Sequence, residues 1–383
     1  MPDGPIPFFH HDLGEPELAA FAEVLRGAML TTGTTVARFE QSFAQYLGVK
    51  HVLGLTSCTG ALHLSLLALG IGPGDEVITT PMTFIATATA ILAAGATPVF
   101  VDVEADTGLL ESTRVEAALT SRTRAIIPVH LYGQMCDMRA FRTLADRCGL
   151  YLIEDAAHCI EGIRDGVRPG QLADTACFSF YATKNITCGE GGAVVTNHAH
   201  LAEKLRLLRL HGMTKTAADR AREGYIHWDM VALGWKYNMD NIQAAILLPQ
   251  LPRVEANWVK RQVLVQRYSH LLENIPGVQC PRTHAGVKHA HHLFPVWVNP
   301  GQRDGVTYEL HRQRIGVVVN YRAIHLLTYF HTRFGFALGD FPNAERIGAC
   351  TLSLPLYPTM PLDHVDRVAA ALQTCLVENS VAA

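Results

Sequence analysis

A single lysine, Lys184, lies between Lys50 and Lys204. Such an amine can bond to a carbonyl as a Schiff base, or accept a proton once burial lowers its pKa. Its setting, FSFYATKNITCGEGGAVVTN (178–197), reads as an apolar strand, a short polar loop holding the lysine, a Gly-rich turn and a second strand. Gly189, Gly191 and Gly192 permit close backbone approach or positive φ, which suits a lysine held against a ligand. The bland reading is a solvated lysine on a hairpin loop. A second candidate is LIEDAAH (152–158), an apolar strand that ends on carboxylates and a histidine. Ligands of open α/β sheets bind at the carboxyl ends of strands, where a charge needs a partner, so Asp155 is marked. It reads equally as the N-cap of a following helix, with His158 one turn further round or simply a core histidine.

Ser57 and Thr59, in TSCTGALHLSLLALGIG (56–72), precede a segment expected to be an amphipathic helix. A helix start with hydroxyls beside it is an anion site as well as a cap. Phe84, in PMTF (81–84), follows a strand and either packs in the core or stacks on a flat ligand. Taken together, the set comprises an amine for a Schiff base, a strand-end carboxylate for a protonated ring nitrogen, an aromatic face and a phosphate-binding helix start. That is the equipment for pyridoxal 5'-phosphate (PLP), whose ring the protein holds and tunes.

The elements that must position this set form an α/β pattern. GIGPGDEVITT (70–80), TPVFVDV (97–103), RAIIPVH (124–130) and LYLIEDA (150–156) read as central strands of a mostly parallel sheet. Segments 84–94, 111–119 and 138–148 carry apolar residues at helical spacing between them. Residues 213–229 read as a polar loop, and 240–272 as helices broken near Pro249 and Pro252. Beyond them, 293–298, a helix at 304–314, GVVVNY (316–321) and a helix at 363–375 predict a smaller C-terminal α/β domain. The expected division is a large cofactor-binding domain over 1–250 and a small domain over 251–383.

Composition narrows the function classes. The 383 residues are 49% hydrophobic and 17% charged, enough apolar surface for a large core, and 32 basic against 35 acidic side chains offer no field for nucleic acid. No window reaches the roughly 18 apolar residues of a membrane span, and the start MPDGPIPFFHH lacks a secretion signal. Nine scattered cysteines without a CxxC pair fit reduced thiols in a cytoplasm. The HAHH cluster (289–292) with His284 lacks metal-ligand spacing, so no metal is expected.

The chain resembles the DegT/DnrJ/EryC1/StrS family of sugar aminotransferases over essentially its whole length. The matching stretches are LTTG (30–33), GIGPGDEVITTPMTFIATATAIL (70–92), GATPVFVDV (95–103), IIPVHLYGQ (126–134), IEDAAH (153–158), FSFYATKNITCGEGG (178–192), YNMDNIQAA (237–245) and LSLPLYP (352–358). The resemblance implies the fold-type-I architecture of aspartate aminotransferase. It implies that Lys184 carries PLP, that Asp155 binds the pyridine nitrogen, that Phe84 stacks on the ring and that His158 lies beside its 3-hydroxyl. Ser179 matches a phosphate ligand, with Ser57, Cys58 and Thr59 in the phosphate turn. Cys58 replaces a usual glycine there. Lys236 and Asn238, in KYNM (236–239), match a segment that reaches the phosphate in the neighbouring subunit's site, which implies a homodimer with shared active sites. The KYN version resembles the nucleotide-sugar 4-aminotransferase branch. Thr31, Tyr321 and His325 match segments near the sugar.

The implied activity is a ping-pong transamination from an amino acid, L-glutamate by family expectation, to a nucleotide-linked keto-sugar, at C4 of a 4-keto-6-deoxy sugar or a 4-keto pentose, in amino-sugar biosynthesis. Three rivals are weighed. Sugar 3-dehydration belongs to relatives whose lysine is a histidine, and Lys184 argues against it. A desulfurase or lyase would share Lys184 and Asp155, with Cys188 as a possible nucleophile. A non-catalytic PLP-binding regulator would keep the cofactor and lack turnover.

Overall fold

The computed structural model describes residues 4–223 and 227–381. Its main sheet has seven strands: β1 (His51–Leu55), β2 (Glu76–Thr79), β3 (Thr97–Phe100), β4 (Thr123–Ile126), β5 (Tyr151–Asp155), β7 (Thr175–Ser179) and β8 (Gly192–Thr196). Between β5 and β7, β6 (Ile163–Arg164) leaves the sheet to pair with β9 (Val287–Lys288). The strand order is β1-β8-β7-β5-β4-β2-β3, with β8 antiparallel to both neighbours and every other pair parallel. All four expected strands form, but β3, read from TPVFVDV as central, is the edge strand, paired on one side only with β2. Their carboxyl ends, with the start of the reversed β8, gather along one edge.

Local chemistry explains the connections. Gly74, at φ +93°, makes the turn into β2. Asp137 caps the helix Met138–Cys148 by accepting from the Ala140 N–H at 3.0 Å, and Gly149 at φ +65° ends it. The helix Cys58–Ala68 is buried almost all round, not on one face as expected. It lies between the sheet and the helices Ala86–Ala93 and Ala199–Leu208, and only Thr59 in its first turn is exposed.

The C-terminal part builds a second core. β10 (Phe294–Trp297) and β11 (Thr351–Leu354) pair antiparallel, and the helices Val254–Leu272, Arg303–Arg312 and Leu362–Val381 pack there through Leu264, Tyr268, Val306, Leu310, Val368 and Leu372. Ile6 joins this core and bridges Ile315. The division expected at 250 and 251 falls within the 3-10 helix Leu248–Arg253, where Pro249 and Pro252 interrupt the helical run.

Two expectations are corrected. Residues 316–321 make no regular strand, because Gly316 donates to Ile6 on one side while Val318 pairs with Ser353 of β11 on the other. Within the expected loop 213–229, of which 224–226 lie outside the described residues, a short helix forms at Ala217–Glu223. Thr216 and Asp219 open it by reciprocal bonds, the Asp219 carboxylate accepting from the Thr216 N–H and the Thr216 hydroxyl from the Asp219 N–H. Among the described residues no helix is long and apolar enough to cross a membrane.

Candidate active site

Asp155 is the last residue of β5. No helix follows it, so the N-cap reading is corrected: Oδ1 accepts from the Ala157 N–H at 3.2 Å in a tight turn, and Oδ2 from the Thr87 hydroxyl at 2.8 Å. Burial pushes this carboxyl up, while Thr87, Ala157 and the charge of Lys184 pull it back toward the ionised form. Sequence alone does not single out Thr87. Its only signal was a threonine one helical turn after PMTF.

Lys184 sits on the loop between β7 and β8, with its backbone N–H bonded to the Tyr181 carbonyl. The side chain is turned inward, not out to solvent as on a surface hairpin. Burial pushes its ammonium down to about 8, against the opposing pull of Cys58 and Asp155. Its Nζ lies 3.4 Å from His292 Nε2.

Ser57 caps the helix Cys58–Ala68, accepting from the Gly60 N–H at 3.0 Å. Residues Cys58 and Thr59 occupy the first turn, where helix geometry leaves N–H groups without intrahelical acceptors and a positive dipole end. Gly192 lies so close beneath this turn that a Cβ on it would sit 2.3 Å from the Ser57 carbonyl carbon. Glycine is required there for β8 to lie against the turn. Ser179 ends β7 beside it, its hydroxyl accepting from the Tyr181 N–H at 3.3 Å.

His158 is buried, and burial followed by the charge of Lys184 holds its imidazole well below its ordinary range. Its Nδ1 accepts from the Tyr132 N–H at 3.3 Å, which leaves Nε2 to donate to the Tyr321 hydroxyl at 3.0 Å. Phe84 is 54% exposed, a large apolar ring open to the cavity, with its centroid 5.8 Å from that of Tyr321.

These nine residues, Ser57, Cys58, Thr59, Phe84, Asp155, His158, Ser179, Lys184 and Tyr321, line one cavity of about 580 Å³. The other four do not. Thr31, Lys236 and Asn238 line a separate hollow of about 320 Å³. There Lys236 Nζ donates to Asn238 Oδ1 at 2.6 Å, and Asn238 Nδ2 to the Thr32 hydroxyl at 2.6 Å. His325 is in neither. It is fully buried, its Nε2 3.0 Å from Glu345 Oε1 and its ring edge-on to Phe341, so the expected substrate contact is corrected to a packed and paired core histidine.

His292 belongs to the HAHH run. It lines the cavity beside Lys184, whereas His289 and His291 stack on each other at 4.8 Å. Among the described residues no group of three His, Cys, Asp or Glu is arranged to hold a metal ion. Cys188 lies outside the cavity lining; its thiol approaches the Glu190 carbonyl at 3.2 Å, and burial pushes it far up, away from a reactive thiolate.

The donor set fits PLP. A dipolar helix start with three hydroxyls serves a phosphate, a buried strand-end carboxylate serves a ring nitrogen, and an inward lysine of lowered pKa and an open aromatic face serve the ring itself. The fold and this site define a fold-type-I PLP enzyme.

Comparison with known proteins places it more narrowly. Residues 11–373 match the sequence profile of the DegT/DnrJ/EryC1/StrS aminotransferase family. The spore coat polysaccharide biosynthesis protein SpsC of Bacillus subtilis is 41% identical over 368 residues, covering 94% of each chain. The structure of S. venezuelae DesV, in complex with a ketimine intermediate, is 37% identical with a TM-score of 0.87, over 94% of this chain and 93% of that one. The putative sugar aminotransferase Spr1654 of Streptococcus pneumoniae, in its PLP form, is 29% identical with a TM-score of 0.92, over 98% and 99%. The chain belongs to the DegT/DnrJ/EryC1/StrS aminotransferase family. It is a PLP-dependent sugar aminotransferase, with PLP as its cofactor.

Proposed function

We propose that this enzyme moves the amino group of L-glutamate to C4 of a nucleotide-linked 4-keto-6-deoxy sugar, in two half-reactions that share one site, as a homodimer. The observation that carries this reading is the single cavity that joins Lys184, Asp155, Phe84 and the helix start at Ser57, with about 580 Å³ to share between cofactor and substrate.

When bound, PLP supplies the electron sink that makes a proton on the amino-bearing carbon removable. Asp155 holds the ring nitrogen's proton in place through its charge, kept available by Thr87 and Ala157. Ser57, Thr59, Ser179 and the first N–H groups of the helix Cys58–Ala68 hold the phosphate. Lys184 binds the cofactor at rest. When not bonded to the cofactor, Lys184 Nζ would be the base that takes the proton from the amino-bearing carbon of the donor and gives one to the amino-bearing carbon of the sugar in the second half-reaction. A pKa of about 8 leaves a useful fraction of its amine neutral near pH 7, which an ordinary lysine lacks. Phe84 stacks on the cofactor ring, and Tyr321 beside it forms the wall against which the sugar packs.

The hollow at Thr31, Lys236 and Asn238 supports the shared-site dimer. The residues that the resemblance sends to a neighbour's phosphate stand outside this chain's own cavity, already organised by the Lys236 to Asn238 bond. The chain is proposed to divide into a large unit over 1–250 and a small one over 251–383, with the cavity between strand ends of the first and Asn320 and Tyr321 of the second.

The test is to incubate the PLP-loaded enzyme with glutamate and nucleotide-linked 4-keto-6-deoxy sugars, and to follow 2-oxoglutarate and amino-sugar together. Equimolar formation of both is expected. A sugar product formed without consumption of glutamate would point to dehydration and overturn the reading.

A further inference from the structure

Lys184 must be released from the cofactor and then act from one position, so something must hold a loose amine at the end of four methylenes. Within hydrogen-bond reach of its Nζ is His292 Nε2, at 3.4 Å. His292 is buried, and its imidazole is held well below its ordinary range by burial first and then by the facing charge of Lys184. It is therefore neutral, with one N–H and one lone pair.

Which nitrogen carries the proton is decided by what lies behind the ring. His292 Nδ1 is 3.1 Å from Asn185 Oδ1. The Asn185 amide cannot be turned round, because its Nδ2 donates to Glu161 Oε2 at 2.7 Å and to the Ala290 carbonyl at 3.2 Å. Its oxygen thus faces the ring and demands an N–H. His292 is protonated on Nδ1, and the lone pair of Nε2 faces Lys184. Glu161 is in turn paired with the buried Arg261, which anchors the chain of bonds in the helix Val254–Leu272.

The backbone that carries His292 is fixed as firmly. The Trp258 indole N–H donates to the His289 carbonyl at 2.8 Å, and the Ala290 N–H to the Gly133 carbonyl at 2.8 Å. Gly133, at φ +109°, is tight against this segment: a Cβ there would lie 3.1 Å from Ala290 Cβ and 3.2 Å from the His291 nitrogen. The His292 ring then rests 4.5 Å from that of His158.

We infer that His292 is a positioning residue that accepts a hydrogen bond from Lys184 whenever the lysine is free, with its tautomer set by the Asn185, Glu161 and Arg261 chain. This rests on the reading of Lys184 as the amine that binds the cofactor. The groups facing this pair are Cys58 and Asp155 on the Lys184 side, and His158, His289 and Arg261 around His292.

Two substitutions separate this role from simple packing. His292→Gln keeps a side-chain oxygen where Nε2 stood and loses the bond to Asn185; His292→Asn keeps the Asn185 bond and loses the acceptor for Lys184. Cofactor-free protein is mixed with PLP, and the rate at which the visible absorption of the bound cofactor grows is recorded between pH 6 and 9. His292→Gln is expected to stay within about threefold of the wild type, and His292→Asn to fall by about tenfold or more, the size of one lost hydrogen bond to a charged group. A purely structural histidine predicts the reverse order, or equal losses, and either result would overturn the assignment. Should both variants fail to fold, nitrogen NMR of histidine-labelled wild-type protein decides. One unprotonated Nε2 resonance must persist from pH 6 to 9 and move both on Lys184→Ala and on cofactor addition, and its absence overturns the proposal. A wild type that gains no visible band would refute the cofactor role of Lys184 instead, so the two failures are distinguishable.

Discussion

The cavity at Lys184 and the hollow at Lys236 treat a lysine in opposite ways. Lys184 is ringed by protein and its ammonium is pushed down to about 8, because burial removes the water that stabilises its charge. Lys236 lies on the wall of a more open hollow, bonded to Asn238, which is bonded to Thr32. Lys184 is drawn in among the cavity residues, whereas Lys236 is exposed to solvent. One cavity gathers nine of the candidate residues, while the hollow is lined by three others, Thr31, Lys236 and Asn238.

Substitutions in the two regions should separate them. Lys184→Ala is expected to lower transamination by more than about 10⁴-fold with unchanged circular dichroism, since the loop lysine contributes little to the core. Turnover near wild type would refute the role. Asp155→Asn should still bind PLP and slow turnover by about 10²-fold or more, the range for losing one preorganised charge contact. In the hollow, Lys236→Ala should lose activity by weakening PLP binding in the partner's site. Mixing it with Lys184→Ala protein should then restore activity, since each mixed dimer holds one intact site; no recovery would confine each site to one chain. Gly192→Ala should cost about 1–3 kcal/mol in thermal or denaturant unfolding, because the added methyl must displace the Ser57 turn. The smallest effect on catalysis is expected at His325: replacing it by Ala lowers stability while KM for the sugar stays put, and a raised KM would return it to the substrate wall.

The pH dependence has a definite sign. Lys184's pKa is lowered, so its neutral, reactive form appears at lower pH than for an ordinary lysine. Loading of cofactor-free enzyme should therefore accelerate as pH rises through about 8 and level off above it. A rise continuing past pH 10 would mean that the amine is solvated.

Much of the fold was legible because parallel strands are buried on both faces and read as apolar runs ending in turn residues, as TPVFVDV and LYLIEDA do. GVVVNY reads the same way, yet its backbone bonds to Ile6 through Gly316 and to Ser353 through Val318, partners distant in sequence that no local pattern announces. The helix at Ala217–Glu223 was missed although Thr216 and Asp219 carry a capping signature. In the site, Lys184 and Asp155 stood out because an isolated amine and a strand-end carboxylate are unusual. Thr87 and His292 did not, because their roles come from what they face across the fold. His325 was misplaced because sequence nearness to Tyr321 does not say which way a side chain turns, and Glu345 turns it inward.

The measurement that bears most directly on the central claim is the visible spectrum of the purified protein with PLP, recorded before and after L-glutamate alone. A band of cofactor bound to Lys184 should form, be absent in Lys184→Ala, and disappear on glutamate addition as 2-oxoglutarate is released. A band that forms on Lys184 and persists under glutamate would contradict the proposed amino donor, and a protein that forms no band would contradict the site itself.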